Sequence, residues 1–304
     1  MTTLFLSHTD CEKHMIMPQH PESPERLLAI NAALSDEFWD AQLNRQNAAE
    51  INTAHFNGIH PRQYLDMLAE LNPGEGRAQI DADTAINKYS LRAARLAAGA
   101  GIQAVESVMS GEYRSAFCAV RPPGHHAESA IGMGFCIFNS IALTAERALN
   151  LGAERIAILD FDVHHGNGTV EIFQDRPEVL VCSSFQYPFY PGRYDDIDRA
   201  NICLTPLPAG TSGSGFRQAI ERDWLPALLN HRPDIILVSA GFDAHRDDPL
   251  AELLLDDADY HWLGEFICEQ ANKYCSGRMV SMLEGGYDIP ALARSVQEYL
   301  KGQA

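Results

Sequence analysis

The sequence predicts one α/β domain built on a parallel β-sheet with helices on both faces. Short apolar runs rich in Val, Ile, Leu and Phe recur along the chain. Each is nearly continuous rather than alternating, as expected for strands that are buried on both faces. Segments with helical spacing of apolar residues lie between these runs, which is the order of βαβ units. The 304 residues are 46% hydrophobic and contain no linker-like run, so we treat residues 1–304 as a single domain.

The individual elements follow from the positions of these runs. The predicted strands are Leu4–Ser7, Ala116–Val120, Ile156–Asp160, Val179–Ser183, Ile235–Ala240 and Met279–Leu283. The predicted helices are Tyr89–Met109, Ser140–Leu149, Gly215–Leu229 and Asp257–Tyr274. Polar residues cluster directly after the strands that end at Val120, Asp160, Ala240 and Leu283. Because ligands of open α/β sheets bind beyond the carboxyl ends of the strands, we expect the active site at this edge.

Charge and cysteine content argue against several functional classes. The formal net charge is −18, and the sequence has no Lys/Arg cluster of the kind that binds nucleic acid. An acidic surface attracts cationic substrates such as polyamines or Lys-rich peptides, although most of this charge is explained by solubility. Seven cysteines without a C-x-x-C pair are typical of reduced thiols, and we identify neither a signal peptide nor a membrane-spanning run. The sequence thus predicts a cytoplasmic protein without a nucleic-acid or membrane partner, and it leaves the oligomeric state open.

The densest polar cluster is the segment Asp160-Phe-Asp-Val-His-His-Gly-Asn167. If the strand continues through it, Asp160, Asp162 and His164 project to one side, whereas His165 points away and is structural. Carboxylate and imidazole donors suit Zn²⁺ or Fe²⁺, and Asp243, which follows a later strand, supplies a third ligand. Three protein ligands leave one position open for water and substrate, which is typical of catalytic zinc sites. A helix cap would explain a lone D-x-D, but not this segment together with polar residues after three other strands.

Two adjacent histidines follow a rigid turn in Arg121-Pro-Pro-Gly-His125-His126. Adjacent histidines on a surface loop usually have no function, so their meaning depends on their neighbours. An imidazole acts as a base only when another group holds its tautomer. Asp160 and Asn167 are available as partners for the two rings. We therefore expect the histidine pair at the same sheet edge.

Five segments together resemble the histone deacetylase superfamily, which includes bacterial acetylpolyamine amidohydrolases and histone-deacetylase-like amidohydrolases. They are Arg121-Pro-Pro-Gly-His-His126, Gly134-Phe-Cys-Ile-Phe-Asn139, Asp160-Phe-Asp-Val-His-His-Gly-Asn-Gly168, Ser239-Ala-Gly-Phe-Asp243 and Leu283-Glu-Gly-Gly-Tyr287, in family order. Asn167 stands where class I members typically have aspartate, so the resemblance is nearest the class II branch. The resemblance implies the arginase/deacetylase fold, a parallel eight-stranded sheet flanked by helices. It also implies zinc-dependent hydrolysis of acetyl or short acyl amides of lysine side chains or related amines.

The resemblance also implies roles for individual residues. Asp162, His164 and Asp243 would bind zinc. His126 would be the general base and then the general acid, His125 paired with Asp160 would act electrostatically, and Tyr287 would hold the substrate carbonyl. A structural potassium site would be formed by Asp160, Asp162, His164, Ser183 and Ser184, although Ser184-Phe185 departs from the common Thr-His. Gly134, Phe135 and Tyr190 would line an acyl-lysine tunnel with Leu250 at its rim, and Arg26 would lie along the channel for acetate exit.

Three alternatives stay open at the level of sequence. Acetylpolyamines are a second substrate class within the same superfamily. The segment Asp243-Ala-His-Arg-Asp247 looks like a manganese motif of the ureohydrolases, which share the fold, but their other metal motifs are missing. An inactive acyl-lysine binding module is disfavoured because Tyr287, His126 and all three metal ligands are present. The sequence does not identify the physiological substrate.

Overall fold

Every strand of the main sheet runs in the same direction. The computed structural model describes residues 2–303. The strands are β1 Thr3–Ser7, β2 Leu43–Asn47, β3 Ala78–Gln79, β4 Ala85–Ile86, β5 Ser115–Cys118, β6 Ile156–Asp160, β7 Val179–Gln186, β8 Ile202–Leu207, β9 Ile235–Ala240 and β10 Met279–Leu283. Eight of them form one parallel sheet in the order β2-β1-β5-β10-β9-β6-β7-β8, while β3 and β4 form a separate antiparallel pair. The predicted α/β class with an eight-stranded parallel sheet is confirmed.

Helices connect the strands and cover the sheet. They are α1 Glu25–Ala33, α2 Glu37–Gln42, α3 Arg62–Leu71, α4 Ser90–Met109, α5 Ser140–Asn150, α6 Asn167–Phe173, α7 Gly213–His231, α8 Asp257–Cys275 and α9 Ile289–Gly302, with 3-10 turns at Thr9–Lys13 and Thr53–Phe56. Side-chain caps fix several starts: Asn139 accepts from the third residue of α5, and Asp256 forms a capping box with Asp259 at α8. All residues of β6, β9 and β10 are buried, which requires cover on both faces of the sheet.

The two strands of the main sheet that the sequence does not reveal are its edges, β2 and β8. In β2 only Leu43 is buried, and the other four residues are exposed. β8 mixes buried and exposed residues and contains Pro206, which the lack of a backbone N–H confines to such positions. An edge strand needs no continuous apolar run, so the pattern that locates the inner strands is missing here. The inner strands β6, β9 and β10 begin and end where the sequence predicts.

The strand order explains why distant segments meet. β5, β10, β9 and β6 are consecutive neighbours in the centre of the sheet, although β6 follows β5 directly along the chain. Their carboxyl ends are level, since Asp160 pairs with Ser239 and Leu283 with Ala240. The loops that leave these four strands therefore open at one place on the sheet edge. These are the loops in which the sequence places its polar clusters.

Two further observations bear on the class of protein. All seven cysteines are free thiols. Within residues 2–303 we find no helix with both the length and the apolar character needed to cross a membrane. The cytoplasmic location stays a prediction.

A buried ion cluster attaches the segment before α1 to the end of β5. Glu22 and Arg121 are both fully buried, and Arg121 Nη2 donates to Glu22 Oε2 at 2.6 Å. Arg26 Nη1 donates to the other carboxylate oxygen at 3.3 Å, and His14 Nε2 lies 3.4 Å from Oε2. Burial opposes ionisation, but the charge of Arg121 and the contacts with His14 hold the pKa of Glu22 well below its ordinary value. The carboxylate is thus charged in the interior and depends on its cations.

We expect Arg121→Met to destabilise the protein by about 3–5 kcal/mol, because it leaves the Glu22 carboxylate buried without its main partner. Urea denaturation followed by circular dichroism measures the change. Arg62→Met is the matched control, since the Arg62–Asp66 pair is exposed and such pairs contribute little. Equal stability of the two variants would show that the buried pair does not anchor this segment.

Candidate active site

Asp162, His164 and Asp243 meet at the carboxyl edge of the sheet. The first two lie in the loop after β6, and Asp243 lies in the loop after β9. His164 Nδ1 is 3.2 Å from Asp162 Oδ1 and 3.1 Å from Asp243 Oδ2, and one donor atom of each residue lies within 4.8 Å of the others. All three residues are buried. Two carboxylates and one imidazole at this spacing fit a zinc ion with an open coordination position. Across residues 2–303 this is the one group of His, Cys, Asp or Glu with such an arrangement.

The route by which these ligands converge differs from the predicted one. β6 ends at Asp160, and residues 162–164 form bends instead of continuing the strand. Backbone donors hold the bends: Asp162 N–H donates to Asp160 Oδ1 at 3.1 Å, and His164 N–H donates to Asp162 Oδ1 at 2.9 Å. Strand alternation was therefore the wrong reason for grouping the three. Asp160 faces His125, whereas Asp162 and His164 face Asp243.

Two glycines let the ligand loops approach each other closely. The N–H of Gly285 donates to Asp162 Oδ2 at 2.7 Å. A Cβ atom at Gly285 would lie 2.1 Å from Asp243 Oδ2 and 2.6 Å from Asp162 Oδ2, distances that no real Cβ tolerates. A Cβ at Gly241 would lie 2.2 Å from Asp162 Oδ2. Close approach of backbone to ligand carboxylates is the reason for glycine at both positions.

The two histidines after β5 stand beside the metal ligands, each with a partner for its ring. His125 Nδ1 is 2.9 Å from Asp160 Oδ2, and His126 Nδ1 is 2.8 Å from Asn167 Oδ1. The ring centroids of the pair are 4.0 Å apart. The turn that carries them is held by Glu284, whose carboxylate accepts from the N–H of His125 at 3.1 Å. The structure thus brings together the pairs that the sequence proposed.

Electrostatics divides the histidines into two kinds. Burial opposes charge on His125, but Asp160, Asp162 and Glu284 raise its pKa well above the ordinary value. Burial and the positive charges of His125 and His164 lower the pKa of His126 well below the ordinary value. These shifts favour the imidazolium form of His125 and the neutral form of His126. A neutral imidazole that donates from Nδ1 to Asn167 presents Nε2 as a proton acceptor.

The pKa of His164 depends on the two neighbouring carboxylates, Asp162 and Asp243. Burial disfavours its charged form, but hydrogen bonds to Asp162 and Asp243 raise the pKa of His164 to about 10. A proton and a metal ion compete for the same nitrogen. Metal binding at this site is therefore expected to release a proton.

Tyr287 closes the site from the β10 side. Its N–H donates to Asp248 Oδ2 at 2.6 Å, and the Arg26 guanidinium lies 5.1 Å from the centre of its ring. Arg26 is fully buried and donates from Nε to Gly286 O at 2.7 Å, so it supports the loop that carries Tyr287. Burial and the charge of Asp243 raise the pKa of Tyr287 well above its ordinary value. Its hydroxyl keeps its proton and can serve as a hydrogen-bond donor.

A cavity of about 200 Å³ leads from the surface to these residues. It is lined by Asp83, His126, Gly134, Phe135, His164, Phe189, Tyr190, Leu250 and Tyr287. All four predicted tunnel residues, Gly134, Phe135, Tyr190 and Leu250, are among them. Two aromatic rings of the wall lie close to the candidate catalytic residues. The centre of the Tyr190 ring is 5.3 Å from that of His126, and the centre of the Phe135 ring is 5.9 Å from that of Tyr287. A cavity of this size, lined by aromatic and apolar side chains with a few polar groups, can hold a small ligand.

Sequence reasoning missed two residues of this cavity. Phe189 stacks against the His164 ring at 5.5 Å, and the only signal for it was an aromatic pair with Tyr190 between two prolines. Asp83 lies before α4, far along the chain from the other site residues, and its Oδ1 accepts from Gly134 N at 3.0 Å. No local pattern places such a residue at the sheet edge. Only the packing of the loop against Gly134 does so.

The proposed potassium ligands also lie together. Ser183 pairs with Asp160 across β7 and β6, and Ser184 Oγ donates to the carbonyl of Asp160 at 3.4 Å. His165 points away from the three candidate zinc ligands, as the sequence predicts. Its Nδ1 lies 2.9 Å from Ser183 Oγ. All of these residues are buried. Potassium binding itself stays a prediction.

Comparison with known proteins now places the chain. The histone deacetylase domain matches residues 20–303. The chain is 36% identical over 297 residues to a probable deacetylase of Archaeoglobus fulgidus, covering 95% of this chain and 82% of that protein. It is 35% identical over 294 residues to a histone deacetylase-like amidohydrolase of Pseudomonas aeruginosa, covering 93% and 77%. The crystal structure of the HDA15 HD domain matches with a TM-score of 0.92 at 32% identity, covering 99% of this chain and 89% of that one.

The fold is of the arginase/deacetylase type, and its site contains a group of side chains that could hold a metal ion. Within that class, the chain belongs to the histone deacetylase family. The resemblance drawn from the sequence is thereby confirmed. The ureohydrolase alternative loses its basis: His245 Nε2 lies 3.2 Å from Asp257 Oδ1, and the group of potential ligands found within residues 2–303 does not include it.

We expect Gly285→Ala to weaken zinc binding strongly, because the added methyl would push Asp243 and Asp162 apart. Titration of zinc into the metal-free protein by calorimetry measures the dissociation constant, which should rise by at least about tenfold. Gly74→Ala is the control, since nothing lies within 4 Å of a Cβ there. An unchanged constant for Gly285→Ala would mean that these carboxylates do not share a metal ion.

Proposed function

We propose that this protein is a zinc-dependent deacylase that hydrolyses acetyl or short acyl amides of lysine side chains or related linear amines. The observation that carries the proposal is one cavity whose wall includes His126, His164 and Tyr287, with Asp162 and Asp243 grouped around His164. Zinc would be held by Asp162, His164 and Asp243, and the donor set is equally compatible with Fe²⁺.

The residues of the chain divide the chemistry among them. Zinc supplies Lewis-acid chemistry when bound, polarising a carbonyl and making water more acidic. His126 accepts the proton of the attacking water at Nε2 and then gives it to the leaving amine nitrogen. Tyr287 donates its hydroxyl hydrogen bond to the oxygen on which negative charge develops. The imidazolium of His125, held by Asp160, adds positive charge near the oxygen on which negative charge develops.

The cavity wall favours an extended substrate. Phe135 and Tyr190 offer apolar ring faces to a methylene chain, while Tyr287 and His126 meet the amide at its inner end. A cavity of about 200 Å³ also favours an unbranched chain over a bulky acyl amine. Acyl-lysine in a peptide and an acylated linear amine both satisfy this description.

An acetylpolyamine is the second candidate substrate, and Asp83 is the observation that favours it. Its carboxylate forms part of the cavity wall, where a second ammonium group of a polyamine would find an opposite charge. Against it, Asp83 Oδ1 already accepts hydrogen bonds from Gly134 N at 3.0 Å and Thr84 Oγ1 at 2.6 Å. Leu250, another residue of the cavity wall, offers no charge.

A substrate panel tests the proposal directly. The purified zinc-loaded protein should release acetate from acetyl-lysine peptides, and acetylspermidine and longer acyl-lysines in the same panel define its preference. Lack of hydrolysis of every acyl amide by protein that holds one zinc per chain would leave only the inactive binding module, and the proposal would be wrong.

Tyr287→Phe should lower kcat by at least about a hundredfold, since it removes one donor to the developing oxyanion. Zinc content and thermal midpoint should match those of the wild type, because the ring and its contacts remain. Steady-state kinetics on an acetyl-lysine peptide measures the effect. Wild-type kcat in this variant would remove Tyr287 from the mechanism.

Leu250→Glu should shift the ratio of kcat/KM toward acetylspermidine by about ten- to a hundredfold, the usual worth of a charge-assisted hydrogen bond. Wild-type protein should show no strong preference for the polyamine. The shift should persist as salt is raised, whereas diffuse attraction by the −18 net charge fades. A wild-type preference for acetylspermidine above about a hundredfold at physiological salt would contradict this reading of Leu250 and assign amine recognition to Asp83.

A further inference from the structure

A buried carboxylate stands behind the histidine pair and has no part in the mechanism above. Glu128 follows His126 by two residues, and its side chain is only 4% exposed. Its backbone N–H donates to Ile131 O at 2.9 Å, which fixes the turn that carries it. A charge in this position is costly unless it is paired and hydrogen-bonded. Its partners therefore indicate what it does.

Glu128 is paired on two sides. Arg193 donates from Nε to Oε1 at 2.7 Å and from Nη2 to Oε2 at 2.8 Å, a bidentate ion pair. Asn167 donates from Nδ2 to Oε1 at 2.9 Å. Asn167 is the residue whose Oδ1 contacts His126 Nδ1 at 2.8 Å. Arginine, glutamate, asparagine and histidine thus form one continuous chain of hydrogen bonds.

At each hydrogen bond of this series, one particular atom is the donor and the other is the acceptor. A carboxylate only accepts hydrogen bonds, so it selects the NH₂ end of the Asn167 amide. The oxygen end is then turned toward His126, and an oxygen there requires a hydrogen on Nδ1. Turning the amide over would put its oxygen against the Glu128 carboxylate, and its NH₂ group would then require the other tautomer of His126, in which Nδ1 is the acceptor. With Nδ1 protonated, the neutral ring has its free electron pair at Nε2.

We propose that Glu128 is a positioning residue for deacylation: through Asn167 it sets the His126 tautomer whose Nε2 accepts the proton, and Arg193 holds it in place. The inference rests on the proposed function, in which His126 is the base. Arg193 is 43% exposed and can be replaced by water, so its share is smaller than that of Glu128. Arg193 also belongs to the loop of Tyr190, which connects the tunnel wall to the support of the base.

Exchange of the donor and acceptor tests this chain of contacts. Asn167→Asp alone sets two carboxylates against each other, and kcat should fall by about 10–100-fold, the usual effect of losing an outer partner. Glu128→Gln alone should cost less, because its oxygen still accepts from Asn167. In the double variant Glu128→Gln/Asn167→Asp an amide again meets a carboxylate, and at least about a tenfold part of the lost kcat should return. KM should change little throughout.

Control measurements separate positioning from stability. Zinc content and thermal midpoint are measured for every variant. Glu171→Leu serves as the matched control, because Glu171 is a nearby carboxylate that bonds to Ser129 and not to Asn167. If the double variant is as slow as Asn167→Asp, or slower, Glu128 does not act through Asn167 and the inference is wrong.

The tautomer is measured independently of activity. Two-bond ¹H–¹⁵N spectra of protein labelled at histidine nitrogen, with the His126 signals identified by their loss in His126→Ala, should show hydrogen on Nδ1 and none on Nε2. Glu128→Leu should populate the other tautomer. A wild-type protein that hydrolyses no acyl amide would overturn the proposed function, while the spectra would still decide this inference. An unchanged His126 tautomer in Glu128→Leu would overturn the inference about Glu128.

Discussion

Negative charge is densely buried at one edge of the sheet, and the loops and histidines of the site are arranged around it. Five carboxylates, those of Asp160, Asp162, Asp243, Asp248 and Glu284, are buried there. Each buried charge is expensive without compensation. Backbone N–H groups, an imidazolium and close turns supply part of this compensation. Burial still raises the pKa of Asp248 and of Glu284 to about 7. A divalent cation between Asp162, His164 and Asp243 is the remaining compensation that our proposal supplies.

The compensation also shapes the loops. Glycine is needed at positions 241 and 285 because the loops must reach the carboxylates with their backbone rather than with side chains. Glu284 accepts from the N–H groups of Gly124 and His125, so the loop after β10 holds the turn after β5. Arg26 binds the carbonyls of Glu284 and Gly286 and carries the Tyr287 ring above its guanidinium. Through Glu22, the same cation network reaches back to Arg121 at the start of that turn. The charges therefore position the reactive groups as well as neutralise one another.

Much of this could be predicted from the sequence, and the exceptions have physical reasons. The sequence predicts both ends of inner strands such as β6 and β9 correctly, because a strand that is buried on both faces has a continuous apolar sequence. The edge strands β2 and β8 have no such sequence. The grouping of Asp162 with His164 was right although strand alternation was the wrong reason, because spacing does not reveal a bend held by backbone hydrogen bonds. Asp83 reaches the cavity only through tertiary packing, which no local pattern encodes, and the aromatic pair with Tyr190 is the single local signal for Phe189.

A single metal ion held by Asp162, His164 and Asp243 would make this cavity a hydrolase site. Stepwise return of zinc to chelator-treated protein, with acetyl-lysine hydrolysis followed at each step, measures this dependence. We expect the rate to rise in proportion to zinc, to level off at about one ion per chain, and to stay at background in Asp162→Ala and Asp243→Ala, which lose a ligand each. Full activity of the metal-free protein, or wild-type zinc binding by these two variants, would contradict it.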